Sequence, residues 1–131
     1  MPKVIVAGSR KGFTKDFVHE VLFELMTDVP DLELVSGGAK GVDSFGEEWA
    51  YLANVEIKRF PANWKLHKKR AGMMRNVEMS RYADELVAFW DGESKGTEHM
   101  IKVMSDLKKP VTVVAVDYEI IDDTDDDEGD E

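Results

Sequence analysis

Five short apolar runs recur along the chain, and the stretches between them carry apolar residues at three- and four-residue spacing. Three of the runs, 3–8 (KVIVAG), 85–90 (ELVAFW) and 110–116 (PVTVVAV), are rich in β-branched residues and have the pattern of strands buried on both faces. Two shorter runs, 32–37 (LELVSG) and 55–60 (VEIKRF), alternate apolar with polar positions and read as strands nearer an edge. Between the first two, residues 14–29 set Phe17, Val21, Leu22, Leu25 and Met26 on one helical face, with Thr14 as N-cap and Pro30 past the end. Residues 42–55, 71–85 and 96–109 repeat the helical pattern. Strand and helix thus alternate as β-α-β-α-β-α-β-α-β. The expected fold class is α/β, a Rossmann-like three-layer sandwich with a five-stranded, mainly parallel sheet.

Length fits one domain, since 131 residues without internal repeats are enough to bury one core. The formal net charge of -10 changes the picture only when it is located along the chain. Residues 117–131 (DYEIIDDTDDDEGDE) hold 10 of the 27 acidic residues and no Lys or Arg, which leaves 17 acids against 17 cations in residues 1–116. The body is neutral. The expected division is a nucleotide-binding domain over 1–116 and an acidic, disordered tail over 117–131, read as a solubility segment, a partner-binding tail or a mimic of nucleic-acid charge. The absence of cysteine rules out disulfides and thiolate metal sites and makes a reducing, cytoplasmic location the default. No apolar run approaches the roughly 20 residues that span a bilayer, so no membrane partner is expected.

In open parallel sheets, ligands bind outside the carboxyl ends of the strands, which directs attention to the loops there. After the first strand, Gly8 lets backbone approach a ligand, Ser9 brings a hydroxyl, and Arg10 a guanidinium suited to phosphate or carboxylate; an ordinary turn would look the same. After the second, SGGAKGVD places Gly37, Gly38 and Gly41 ahead of a helix whose first amides and dipole favour an anion. Its G-G-x-x-G spacing is neither that of a Walker A loop nor that of the dinucleotide G-x-G-x-x-G. Asp43 fits a helix cap as well as a contact to ligand hydroxyls. After the third, FPANWKLHKKRAGMMRN offers Trp64 for stacking on a base, with His67 beside it, then Lys68, Lys69, Arg70, Arg75 and Asn76, which fit a phosphate site or a solvated face. After the fourth, Asp91, Ser94, Gly96 and Thr97 form a second glycine-containing loop entering a helix. The three histidines lack metal-ligand spacing and no Ser or Cys nucleophile neighbours His67, so neither a metal nor a catalytic triad is expected. Met73, Met74 and Met79 fit either core or a face between copies of a homo-oligomer, with core the simpler reading.

Taken in order, GSR, SGGAKGVD, FPANWKLHKKRAGMMRN and AFWDGESKGTEHMI resemble the YspA-like family of the SLOG superfamily, which is related to the DNA-processing protein DprA and to the LOG phosphoribohydrolases. The resemblance covers residues 3 to about 116. It implies a Rossmann-like pocket for a nucleotide or nucleotide-derived ligand, made by Gly8, Ser9, Arg10, Gly37, Gly38, Gly41, Asp43, Arg75, Asn76, Gly96 and Thr97. In the LOG enzymes a P-G-G-x-G-T-x-x-E motif supplies a phosphate loop and a carboxylate that cleaves an N-glycosidic bond. Gly96-Thr97 matches that motif here, but Met100 stands at the place of the glutamate. Glu98 is about 200° around a helix from that position.

The expected function is therefore a sensor or sequestering module for a nucleotide-derived small molecule, bound without a cofactor. The alternative is a nucleoside-monophosphate N-glycosidase or related hydrolase using Asp43, Asp91 or Glu98. Nucleic acid is not expected as a partner, because the body is neutral and the tail would repel a phosphate backbone.

Overall fold

A computed structural model of the chain describes residues 2–115. The expected tail at 117–131 lies outside the described residues. Five strands, β1 (Lys3–Gly8), β2 (Glu33–Ser36), β3 (Glu56–Arg59), β4 (Glu85–Trp90) and β5 (Val111–Ala115), form one sheet in the order β3-β2-β1-β4-β5. All four strand pairings are parallel. The helices are α1 (Lys15–Met26), α2 (Val42–Leu52), the single turn α3 (Trp64–His67), α4 (Ala71–Tyr82) and α5 (Lys95–Asp106), with a 3-10 turn at Lys68–Arg70. Strand order reverses between β1 and β4, and that switch point sets the place of the site.

Side chains alternate across the sheet, so the unbroken apolar run of β1 feeds two cores. Val4 and Val6 pack with Val18, Leu22 and Met26 of α1 and with Trp49 and Ala50 of α2. Ile5 and Ala7 pack on the opposite face with Met79 of α4 and with Met100 and Met104 of α5. On α1 the buried positions are Val18, Leu22 and Met26, whereas Leu25 is 46% exposed. The buried stripe is thus rotated from the expected one, since Val18 and Leu22 face the sheet four residues apart and Leu25 falls beyond that line. Phe89 of β4 meets Phe13 and Phe17 edge-on, with ring centroids 5.6 and 6.2 Å away, and this contact holds the loop after β1 beside the end of β4.

Two strands sit differently from their sequence pattern. β2 was expected near an edge, yet Leu34 enters one core and Val35 the other, so it is an interior strand between β1 and β3. β5 was expected to be buried on both faces, yet it is the last strand of the sheet and Thr112, Val113 and Ala115 are exposed. β-branched composition favours a pleated conformation at an edge as well as at the centre, so it does not report strand order.

Candidate functional site

At the carboxyl ends of β1 and β4 a cleft of about 650 Å³ opens between the loops after these strands and the first turns of α4 and α5. Gly8, Ser9, Arg10, Asp43, Trp64, Arg75, Asn76, Asp91, Ser94, Gly96 and Thr97 line it. Eleven residues spread over nearly ninety positions of sequence thus meet at one sheet edge.

The loop after β1 turns sharply because Gly8 tolerates contacts that a larger residue would not. A Cβ there would lie 2.6 Å from the Phe89 carbonyl oxygen and 2.8 Å from Val42. Ser9, almost wholly buried, donates its amide to that same carbonyl at 3.0 Å and accepts the Asp91 amide on its hydroxyl at 3.2 Å. These bonds tie the loops after β1 and β4 together, and Arg10 stands exposed beyond them.

The glycine loop after β2 forms a supporting wall. Gly37, Gly38 and Gly41 do not line the cleft. Gly41 has φ +82°, and a Cβ on it would lie 2.8 Å from the Arg10 backbone, so the two loops pack main chain to main chain. Two of the loop amides have internal acceptors: Gly38 donates to the Ser36 hydroxyl at 3.1 Å and Ala39 to Asp43 Oδ2 at 3.2 Å. Behind them Ser36 donates to Glu47 Oε2 at 2.6 Å, while Arg59 Nε donates to Glu47 Oε1 at 2.8 Å. Asp43 therefore braces the turn from the first turn of α2. Burial pushes its carboxyl up to about 6, against the lowering effects of the Ala39 amide and the Arg75 guanidinium.

Arg75 lies across this wall. Its Nη1 donates to the Gly37 carbonyl at 2.7 Å and its Nε to Asn76 Oδ1 at 3.2 Å. Burial lowers its pKa, opposed by the charge of Asp43. Asn76 Nδ2 in turn donates to the Gly96 carbonyl at 3.2 Å and reaches His99 Nδ1 at 3.1 Å. Because Asn76 is the donor there, the His99 proton sits on Nε2; burial first, then Lys102, lowers the pKa of this ring. A continuous chain of contacts thus runs from the β2 loop through α4 to α5.

At the start of α5, Asp91 Oδ1 accepts the amides of Glu93 and Ser94, both at 2.8 Å, and these bonds hold its carboxyl below the usual range. Ser94 caps the helix through the Thr97 amide, and its hydroxyl lies 3.1 Å from that of Thr97. The Lys95 and Gly96 amides have no hydrogen-bond partner among the described residues, and no atom lies within 4 Å of the place of a Gly96 Cβ. Two free first-turn amides, two hydroxyls and the positive end of a 12-residue helix make this part of the cleft receptive to an anion.

Besides Gly37, Gly38 and Gly41, His67 and Glu98 lie outside the cleft. His67 lines a separate groove with Pro61, Asn63 and Met74. Glu98 is exposed and does not line the cleft, whereas Met100 is buried in its floor. Lys11, Lys69, Met73, Lys95 and His99 also line the cleft. His99 and Met100 were legible in principle, because positions three and four past Gly96 share its helix face. Met79 is core, while Met73 and Met74 are 54% and 39% exposed. No group of three or more metal-binding side chains occurs among the described residues, and no helix among them is long and apolar enough to cross a membrane.

A parallel sheet in the order β3-β2-β1-β4-β5 with a polar cleft at its switch point defines a Rossmann-like α/β protein. The chain belongs to the YspA, cpYpsA-related SLOG family, whose model matches residues 2–67. The Gene 61 protein of Mycobacterium phage D29 is 35% identical over 118 residues, covering 85% of this chain and 94% of that protein. Among solved structures, DNA processing protein A (DprA) from Streptococcus pneumoniae superposes with TM-score 0.70 at 17% identity, over 86% of this chain and 50% of that one. DprA from Helicobacter pylori superposes with TM-score 0.64 at 20% identity, over 86% of this chain and 64% of that one. The chain therefore spans half and somewhat under two thirds of these two neighbours, and the likeness is one of fold.

The second neighbour corrects one expectation. The Helicobacter pylori structure is described for its single-stranded DNA binding mode, so a protein containing this fold does bind nucleic acid. Neutral body charge and an acidic tail gave no sound reason to set that class of partner aside, because binding depends on local charge at a site and not on the sum over the chain.

Proposed function

We propose that the cleft at the β1–β4 switch point binds a phosphate-bearing nucleotide unit, and that the protein acts as a sensor or sequestering module for a nucleotide-derived molecule. The observation that carries this reading is the first turn of α5, where the free Lys95 and Gly96 amides and the Ser94 and Thr97 hydroxyls stand in one cleft with Arg10. Phosphate would sit against that turn. Trp64, 55% exposed and lining the same cleft, offers an aromatic face for a base, with Met73 beside it.

A second reading, the N-glycosidase or a related hydrolase, is supported by Asp43. It is a buried carboxyl whose pKa near 6 lets it hold or release a proton close to neutrality, as a general acid requires. Asp91, held ionised by two amides, could serve only as a base or an electrostatic partner. Glu98 has no part in it from its exposed position.

Titration of the full chain with AMP, ADP-ribose, a cyclic nucleotide and a short single-stranded deoxythymidine oligomer tests the leading reading. Saturable micromolar binding of a mononucleotide, weakened about tenfold in Arg10→Ala by loss of one charge-assisted contact, supports it. Absence of binding at millimolar ligand contradicts it. Preference for the oligomer, with affinity that rises with its length, would make single-stranded nucleic acid the partner. Release of free base, lost in Asp43→Asn, would establish the hydrolase.

A further inference from the structure

The two sides of the sheet carry helices of opposite charge. Residues 16–57, which contribute α1 and α2, hold ten acids and one Lys or Arg, Lys40. Residues 61–81, which contribute α3 and α4, hold six Lys and Arg against one acid, Glu78. Val18 and Leu22 of α1 and Trp49 of α2 belong to one core, and Met79 of α4 to the other, so the acidic and basic helices lie on opposite faces of the sheet. Asp16, Glu20, Glu24 and Asp28 are exposed and make no ion pair among the described residues, and the same holds for Lys65, Lys68, Lys69 and Arg81. Neither α1 nor α2 has a basic residue in its last turn, so the negative ends of both helix dipoles add to the acidic side.

Each charged side also leaves apolar surface uncovered. Between the C-terminal ends of α1 and α2 a groove of about 680 Å³ is lined by Phe23, Trp49 and Leu52, together with Asp31 and Glu56. Phe23 is 61%, Leu52 69% and Tyr51 80% exposed. On the basic side a groove of about 500 Å³ between α3 and α4 is lined by Met74 with His67 and Arg81, and Leu66 of α3 is 67% exposed. Single apolar residues are ordinary on a protein surface. Here they are grouped within fields of opposite sign, and each side presents what the other lacks.

We propose that the acidic α1–α2 side of one copy docks on the basic α3–α4 side of the next. Phe23, Tyr51 and Leu52 meet Leu66 and Met74, while the acids of α1 meet Lys65, Lys68 and Arg81. Opposite charge steers the encounter and sets its register, and the apolar contact supplies the burial. Because the two faces belong to opposite sides of one sheet, the contact is head to tail, not two-fold, and a second copy still offers a free face to a third.

Sedimentation velocity of the full chain tests this. At about 20 mM salt the weight-average mass should rise over about 10 to 300 µM protein and pass twice the monomer mass, and at about 0.5 M salt it should return to the monomer. Two full-length variants identify the faces: E20K/E24K reverses charge on the acidic side and K65E/K68E on the basic side. Each alone should stay monomeric at low salt. An equimolar mixture should form a one-to-one complex and go no further, since each variant keeps the face that the other has lost. All four positions are exposed, and the wild-type masses decide the proposal even if a variant failed to fold. Wild type that stays monomeric at low salt would overturn it and leave the two faces to other molecules. A mass that stops at the dimer, as a two-fold contact gives, or folded variants that do not join when mixed, would overturn it equally.

Discussion

Asp43 is the residue at which the folding and the chemistry of the site meet. It is 6% exposed, accepts the Ala39 amide that closes the glycine loop, and faces Arg75. With its pKa raised from 3.8 to about 6, the folded protein binds this proton more tightly than the unfolded chain does. Its contribution to stability is therefore fully present below pH 4 and is lost as pH rises through 6, by an amount on the order of 3 kcal/mol at about 1.4 kcal/mol per unit. Asp43→Asn keeps an oxygen for the Ala39 amide and never ionises. Urea denaturation should find it more stable than wild type at pH 8 by up to about that amount, with the gap closing toward pH 4.5; a gap independent of pH would show that Asp43 is not held protonated by burial. Of the site's individual residues, Ser9, Arg10 and Thr97 could be picked out in sequence because each stands beside a glycine turn or at a helix start, and Asn76 through the cation-rich segment that precedes it. His99 could not be read so easily, because its role depends on a bond from Asn76, 23 positions earlier.

Among the elements, the glycine turns separate into those that fold the protein and one that serves the cleft. At Gly8 and Gly41 an added Cβ meets main chain at 2.6 and 2.8 Å, and Gly41 also has positive φ, so Gly41→Ala should cost about 1–3 kcal/mol. Gly96 has open space where its Cβ would be, and Gly96→Ala should leave stability within about 0.5 kcal/mol. If Gly96→Ala weakened nucleotide binding while the unfolding midpoint stayed in place, Gly96 would be marked as a contact surface; a midpoint falling as far as in Gly41→Ala would contradict the assignment. The strand-helix alternation was legible because periodicity and capping are local: Thr14 caps α1 and Ser94 caps α5 from within their own turns. Strand order was not, since nothing in the composition of 32–37 or 110–116 records which neighbours they pair with. β2 is central only because β3 closes over it, and β5 is an edge only because no described strand follows.

For the whole molecule, the sequence pattern led to the sheet edge that carries the cleft, because a parallel α/β fold sends every strand's carboxyl end to the same side. What it did not reveal is that Gly38 and Ala39 of the SGGAKG loop give their amides to Ser36 and Asp43 and that its glycines do not line the cleft, whereas the first turn of α5 does. That division shifts the center of the proposed site from the loop after β2 to the loop after β4. It also makes a salt prediction: if phosphate is held by Arg10, Lys95 and the α5 amides, mononucleotide affinity should fall as salt rises, whereas an affinity indifferent to salt would point to contacts with base and sugar alone. The central claim is that the β1–β4 cleft, through the first turn of α5, receives a nucleotide phosphate. Amide chemical shifts of the ¹⁵N-labelled full chain, followed while AMP is added, test it most directly. The expected result is saturable displacement of the Lys95, Gly96 and Thr97 signals together with those of Ser9 and Arg10. Signals at these positions that stay fixed up to about 10 mM AMP, or saturable shifts gathered on another face of the protein, would contradict it.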